Sequence, residues 1–576
     1  MAYTDEKTTQ IVIFLLKSHG IKHVIASPGT TNMAFVGSVQ RDPHFVVHSS
    51  VDERSAAYMA CGLAAQTGEP VVLSCTGATA SRNYLPGLTE AFYRKLPVIA
   101  LTSMQGRERA GHHIAQVIDR SALPKDAAKL SVDLPVGKDA EDTWEAEMKV
   151  NQAILETRRG GGAPVHINLP TTYSQDFTVA KLPNYRKIDR WFGSEELPKL
   201  EGKIAVFVGA HKPWTPKETQ ALDRFCDSHD AVVLCDHTSG YDGKYRIQGA
   251  LLGAQEGQNR KDLKADVTIH IGEITGDYQS EPLIGKEVWR VSPDGEVRDT
   301  FRRLRHVFEM SEADFFTRYT EEDTQSAPFY DLLRSRLVEA RSKISEMPFS
   351  NLWMASQFSK SVPNDAVMHF AILNSLRAWN FFDLSKGVHT MSNVGGFGID
   401  GCMSSLIGAS LADPDKIFYL VTGDLAFFYD LNALGNRQLG ANVRILLVNN
   451  GRGTEFTQHG HLGAQFGPDA ATFIAAEGHF GPKSRALAKG YAEALGLEYM
   501  GVTGKAECTT AAQSFFDPMP RDCPMLLEAF VDADDESDAL RMIKNLYPAP
   551  RNTVRKAAKD LLGPQKIKAI RKVIKA

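Results

Sequence analysis

The sequence predicts an α/β protein of three serial domains with parallel sheets. Two observations carry this reading. Short runs of aliphatic and β-branched residues alternate with helical patterns, and the alternation starts afresh twice along the chain. The strand runs are apolar throughout rather than alternating with polar residues, as in sheets covered by helices on both faces.

In the first domain, residues 1–175, the pattern predicts a helix over 8–18 and a strand over 23–26 that runs into the turn Ser27-Pro28-Gly29. A strand at 45–48, a helix at 53–67, a strand at 70–75, a helix at 89–95 and a strand at 97–102 follow. Residues 171–202 are polar and proline-spotted, the composition of a linker. The central domain, residues 200–345, shows strands at 204–208, 231–235 and 267–271 and ends in a charged helical stretch over 311–345. The third, residues 350–547, has strands near 366–369, 417–421, 444–448 and 525–529. Residues 548–576 form a basic amphipathic tail, with nine basic residues and one acid, Asp560, between 551 and 576. Such a tail suits an anionic membrane, a partner protein, or its own domain.

Composition bounds the function. With 576 residues, 43% hydrophobic and 23% charged, the chain is a globular protein with ample core and not a disordered one. Its longest apolar runs, 11–16 and 445–448, are far shorter than a membrane span. Residues 1–17 carry acids and lack the pattern of a signal peptide. Seven scattered cysteines without a CxxC pair point to reduced thiols and a cytoplasmic location. A net charge of −4 gives no sign of nucleic-acid binding.

One constellation carries chemistry. Asp424 follows the strand pattern 416–422 and Asn449-Asn450 follows 443–448, with a helical pattern over 425–439 between them. A strand–helix–strand crossover brings both polar sites to the carboxyl edge of one sheet, where open α/β sheets bind ligands. A carboxylate, an amide oxygen and a backbone carbonyl there suit magnesium, which completes its shell with phosphate and water. Gly423 lets the backbone come close, and Gly451 and Gly453 permit the sharp path that follows. The alternative is that Asp424 caps a helix and the asparagines form a turn. Glu53, at the start of the 53–67 helix, is open to a similar plain reading, with Ser50-x-x-Glu53 as a capping box.

Gly423-Asp424 followed by Asn449-Asn450 resembles the metal and diphosphate motif of thiamine-diphosphate enzymes. The three domains match that family's pyrimidine-binding, central and diphosphate-binding order, and the resemblance spans nearly everything but the tail. It implies the thiamine-diphosphate-binding fold, with magnesium held by Asp424, Asn450 and the carbonyl of Arg452. It places at Glu53 the carboxyl group that bonds the cofactor's pyrimidine and promotes its imino tautomer. It also implies a homodimer or dimer of dimers, because in the family the two ends of the cofactor lie on different subunits.

Ser27-Pro28-Gly29, the run Asp52 to Ala57, Asn374-Ser375-Leu376, Gly398-Ile399-Asp400-Gly401 and Asp430-Leu431-Asn432 are similar to the menaquinone-pathway synthases that decarboxylate 2-oxoglutarate and transfer a succinyl unit. By that likeness Ile399 bends the cofactor and Ser375 lies near diphosphate and substrate. Thr31, Gln105 and Val394 stand where those synthases have arginines, a departure that sets the donor acid apart from 2-oxoglutarate. Arg377, Arg107 and Arg109 are candidate replacement anchors. Gln116 resembles the family's active-site glutamine, and His112-His113 just before it resembles the paired histidines of thiamine-dependent decarboxylases. Residues 454–467, with Glu455, His459 and His461, are either a loop that closes over substrate or a surface connection.

The expected activity is thiamine-diphosphate- and magnesium-dependent decarboxylation of a 2-oxo acid, with transfer of the acyl carbanion equivalent to an acceptor. The alternatives are a simple non-oxidative decarboxylase and a catalytically inactive binding scaffold.

Overall fold

The computed structural model describes residues 2–255, 257–322, 326–458, 461–480 and 483–547. The expected basic tail, residues 548–576, and His459 lie outside these. The chain forms two compact units, residues 1–197 with 294–309, and residues 198–293 with 310 onward.

In the first unit, β1 (His23–Ala26), β2 (Val46–Ser49), β3 (Val71–Thr76), β4 (Val98–Met104), β5 (Leu130–Asp133) and β6 (Val165–Pro170) form a sheet in the order β2-β1-β3-β4-β6-β5. Every pairing is parallel. Its central strands β3 and β4 bury both faces, which is why they read as apolar runs, whereas the edge strand β2 is partly exposed. Val24, Val72, Ile99 and Leu101 pack with the helices Lys7–Ser18 and Ala140–Glu156. Ile25, Leu73, Val98 and Ala100 pack on the opposite face, with helices Glu53–Thr67 and Leu85–Tyr93.

The stretch expected as a linker, 171–202, holds more structure than its composition suggested. Tyr3 and Val179 bridge antiparallel, and β7 (Asp189–Trp191) pairs in parallel with β13 (Leu304–Phe308). Asp299 ties that segment down, accepting from Trp144 Nε1 at 2.9 Å and pairing with Arg186 at 2.9 Å. A three-residue strand with one tryptophan carries no periodicity to find, so only its partner strand defines it.

The second unit contains β8 (Ile204–Val208), β9 (Ala231–Cys235), β10 (Arg246–Gln248), β11 (Val267–Ile271) and β12 (Glu287–Val291), ordered β10-β9-β8-β11-β12. The charged stretch after it is two helices, Glu312–Tyr319 and Pro328–Ser342. A further parallel sheet has the order β15-β14-β16-β17-β19-β18, from β14 (Val367–Phe370), β15 (His389–Met391), β16 (Phe418–Gly423), β17 (Val443–Asn449), β18 (Glu498–Val502) and β19 (Met525–Phe530). Within the unit His237 joins the two sheets, its backbone N–H donating to Asn380 Oδ1 at 2.9 Å and its Nε2 lying 2.9 Å from the Trp379 carbonyl.

Two local expectations are corrected. The helix expected over 425–439 is only Asp424–Tyr429, followed by a 3₁₀ turn Leu431–Gly435. The break falls at Asp430, whose buried carboxylate accepts from both the backbone N–H and the hydroxyl of Ser404 at 2.6 Å. Asp430 thus satisfies an orphan donor in the first turn of the helix Cys402–Ser410. At Glu53–Thr67 the cap is Asp52, accepting from the N–H groups of Arg54 and Ser55 at 3.3 and 3.2 Å, so Ser50 and Glu53 form no capping box.

Candidate active site

β16 and β17 run side by side with Gly423 opposite Val448, so Asp424 and Asn450 both emerge at the carboxyl edge of the sheet. Asp424 is buried, with one carboxylate oxygen accepting from Leu425 N–H at 3.0 Å and the other from Gly451 N–H at 2.9 Å. That second bond crosses from one strand end to the other and fixes the two loops together. Burial pushes the Asp424 carboxyl up to about 6, against the lowering effect of the backbone donors.

The two asparagines divide the work. Asn449 turns inward, and its amide donates to the buried carboxylate of Glu528 at 2.7 Å. Asn450 is half-buried, and its amide oxygen accepts from Arg452 N–H at 3.4 Å. Gly451 has φ +81°, a conformation that favours glycine. Gly453 is different: its φ is −71°, and a side chain there would stand 3.1 Å from Phe456 and 3.3 Å from the Ala475 carbonyl. Space, not backbone freedom, selects that glycine. Nothing lies within 4 Å of where a Gly423 side chain would begin, so the chain leaves room beside the acid.

Ser375 is buried in the short helix Asn374–Trp379 that follows β14, the neighbour of β16. Ile399 is half-buried and packs against the core beneath this sheet. Arg377 is already engaged, bonded to Glu455 and lying over the Tyr278 ring at 5.2 Å. Asn374, Arg377, Glu455, Gln458 and His461 line one cavity of about 940 Å³ in this unit.

The remaining candidates belong to the first unit. Glu53 is half-buried at the first turn of its helix and accepts from Asn83 Nδ2 at 3.2 Å. His112, His113 and Gln116 are exposed on the segment between β4 and β5, and His113 and Gln116 both hold positive φ, +56° and +65°. Arg107 pairs with Asp133 at 3.3 Å, and Arg109 bonds Gln105. Sequence reading missed Arg120 on this segment, a guanidinium buried against β3 and β4. No periodicity or motif marks a single arginine in a loop as buried.

Comparison with known proteins decides the family. Residues 6–123 match the model described as thiamine pyrophosphate enzyme, N-terminal TPP binding domain. A 2-succinyl-5-enolpyruvyl-6-hydroxy-3-cyclohexene-1-carboxylate synthase of Phocaeicola vulgatus is 30% identical over 562 residues, spanning 94% of this chain and 98% of its own. The chain belongs to the thiamine-diphosphate enzyme family. The synthase of the same name from Bacteroides thetaiotaomicron is 28% identical over 571 residues, spanning 95% of this chain and 99% of that one. Among solved structures, a thiamine diphosphate-dependent 4-hydroxybenzoylformate decarboxylase of Rhodococcus jostii RHA1 covers 92% of this chain, with 17% identity and a TM-score of 0.40.

The residues present fit the family's cofactor and a hard cation. Asp424 is a carboxylate whose desolvation is only partly offset by backbone N–H groups, those of Leu425 and Gly451 among them, and a dication beside it would restore its charge. The Asn450 amide oxygen and the open face of Gly423 complete an oxygen-rich, unobstructed strand edge.

Proposed function

We propose that this thiamine-diphosphate enzyme uses magnesium and decarboxylates a 2-oxo acid, passing the acyl carbanion equivalent to an acceptor. The observation that carries the reading is the bond from Gly451 N–H to Asp424, which sets Asp424 and Asn450 on one strand edge, in a chain 30% identical to a synthase of that chemistry class. Asp424, Asn450 and the carbonyl of Arg452 would hold the metal, and Gly423 would leave room for the diphosphate. The cofactor supplies the electron sink for breaking the carbon–carbon bond beside a carbonyl. Glu53 would offer its carboxyl proton to the pyrimidine nitrogen of the bound cofactor, and the Asn83 amide donates to that carboxylate. Ser375 would lie near diphosphate and substrate, Ile399 would support the bent cofactor, and Gln116 would orient substrate. The protein acts as a homodimer or a dimer of dimers.

A second reading, simple decarboxylation with a proton as acceptor, is favoured by the exposed pair His112-His113, since imidazole is a side chain suited to proton transfer. A screen of 2-oxo acids for carbon dioxide release with added thiamine diphosphate and magnesium, with and without acceptor aldehydes, separates the two. Ligated product marks transfer, and free aldehyde marks simple decarboxylation. No release with any acid would overturn both.

A further inference from the structure

Arg120 presents a problem that the cofactor site does not solve. Its side chain is 98% removed from solvent by a relative exposure of 2%, yet Nε, Nη1 and Nη2 all lack a hydrogen-bond partner. An unpaired buried cation is strongly destabilising, so folds rarely retain one without a counterpart. Burial draws the guanidinium down to about 10, which leaves it charged at neutral pH.

The surroundings show what the counterpart is not. Asp133 is taken by Arg107, and Asp119 accepts from the Ser121 N–H at 2.9 Å and hydroxyl at 2.6 Å. Arg82 adds a third guanidinium nearby, donating to the Asp119 carbonyl at 2.8 Å. Three cations therefore face two committed carboxylates. Cys75, also near, is held neutral by burial, with its thiol pushed up to about 12. His166 is likewise neutral, pushed down to about 3.

The guanidinium lies against the carboxyl edge of the first sheet. A side chain at Gly77, just past β3, would stand 3.1 Å from Arg120 Cζ and Nη1, and 2.7 Å from Met104 at the end of β4. Beside it is a cavity of about 240 Å³, lined by Met104, Arg107, Ala110, Ile118, Arg120 and Asp133 among others. That wall mixes apolar side chains with the Arg107 and Arg120 guanidiniums and with the carboxylates of Asp119 and Asp133, both already bonded to other groups, which leaves the Arg120 cation for an anionic group on a short carbon stem.

We propose that Arg120 anchors a carboxylate-binding site at this edge, taking the two oxygens of a short-chain organic acid by parallel N–H bonds. The inference stands apart from the cofactor reading and needs no turnover to be tested.

The test is thermal unfolding of the full-length protein without added cofactor, titrated with butyrate, with inorganic phosphate, and with chloride at matched ionic strength. Butyrate is expected to raise the melting temperature of the wild type saturably, more than phosphate does. Arg120→Lys keeps the charge but loses the planar fork, and is expected to need at least about tenfold more butyrate for half the shift. Arg120→Met is expected to melt higher than wild type in chloride, because it removes an uncompensated charge, and to lose the butyrate shift. A phosphate-only response would overturn the carboxylate assignment, and so would a shift confined to effects that chloride reproduces. An undiminished butyrate shift in Arg120→Lys and Arg120→Met would remove Arg120 from the site. If Arg120→Met fails to fold, the lysine variant decides alone.

Discussion

At the scale of single residues, the active-site reading turns on two carboxylates in contrasting surroundings. Asp424 is buried and held by backbone N–H groups of Leu425 and Gly451. Asp424→Asn keeps an oxygen that accepts the Gly451 bond, so the loops should stay in place, but it removes the anionic metal ligand. Magnesium-dependent binding of thiamine diphosphate should weaken at least about tenfold, ~1.4 kcal/mol, by calorimetry. Unchanged affinity would remove Asp424 from the metal site. Glu53 is half-buried and touched by Asn83. Glu53→Gln preserves an acceptor for that amide while ending proton exchange with the pyrimidine. Hydrogen–deuterium exchange at the cofactor's reactive carbon should slow by about 100-fold or more, with cofactor affinity nearly intact. Exchange at the wild-type rate would assign Glu53 a structural role.

At the scale of elements, β4, β5 and β6 share a buried histidine with consequences for acid stability. His166 on β6 lies 2.8 Å from the Thr102 hydroxyl of β4 and 2.9 Å from the Ser131 hydroxyl of β5. Burial first, and then Arg120 and Arg82, push its imidazole down to about 3 from an ordinary 6.5. In the unfolded chain this histidine takes a proton below its ordinary value, while in the fold it resists until about 3. Its contribution is therefore intact above 6.5 and is lost as pH falls through the window beneath, at roughly 1.4 kcal/mol per pH unit. His237 and His369, pushed by burial to about 4, act in the same direction. Denaturant midpoints should fall steadily below about pH 6.5, and His166→Gln should make that decline shallower. An equal slope in the variant would show that His166 is protonated in the fold.

At the scale of the whole molecule, the first unit leaves one helix with an apolar outer face. Glu53–Thr67 buries Ala56, Ala57, Ala60 and Ala64 against its sheet but leaves Tyr58 and Met59 about half exposed, at 48% and 46%. Val51, just ahead of the cap, is 79% exposed. Aromatic and methionine side chains on an otherwise ordered helix suit a self-association surface. Sedimentation velocity should find the wild-type chain dimeric or tetrameric, and the double substitution Tyr58→Glu with Met59→Glu should shift it toward monomer. A monomeric wild type would dismiss the homodimer reading, and an unaffected assembly would place its interface elsewhere.

The sequence by itself determined the parallel α/β class, because strands buried on both faces must be apolar along their whole length, and those runs are visible without any structure. It also determined the metal-site candidates, since Gly423-Asp424 and Asn449-Asn450 each sit just beyond such a run. What it could not determine were features whose cause lies far along the chain. The helix after Asp424 ends at Asp430 because Ser404, 26 positions earlier, captures that carboxylate. The strand Asp189–Trp191 exists only through its partner Leu304–Phe308. Asn449 differs from Asn450 because Glu528, on the neighbouring strand, claims the first amide and leaves the second. Arg120 is buried and unpartnered only because the loop that carries it folds back over Gly77 and Met104. Local patterns record which backbone a segment prefers, whereas charge pairing and burial depend on groups that only tertiary packing brings within reach.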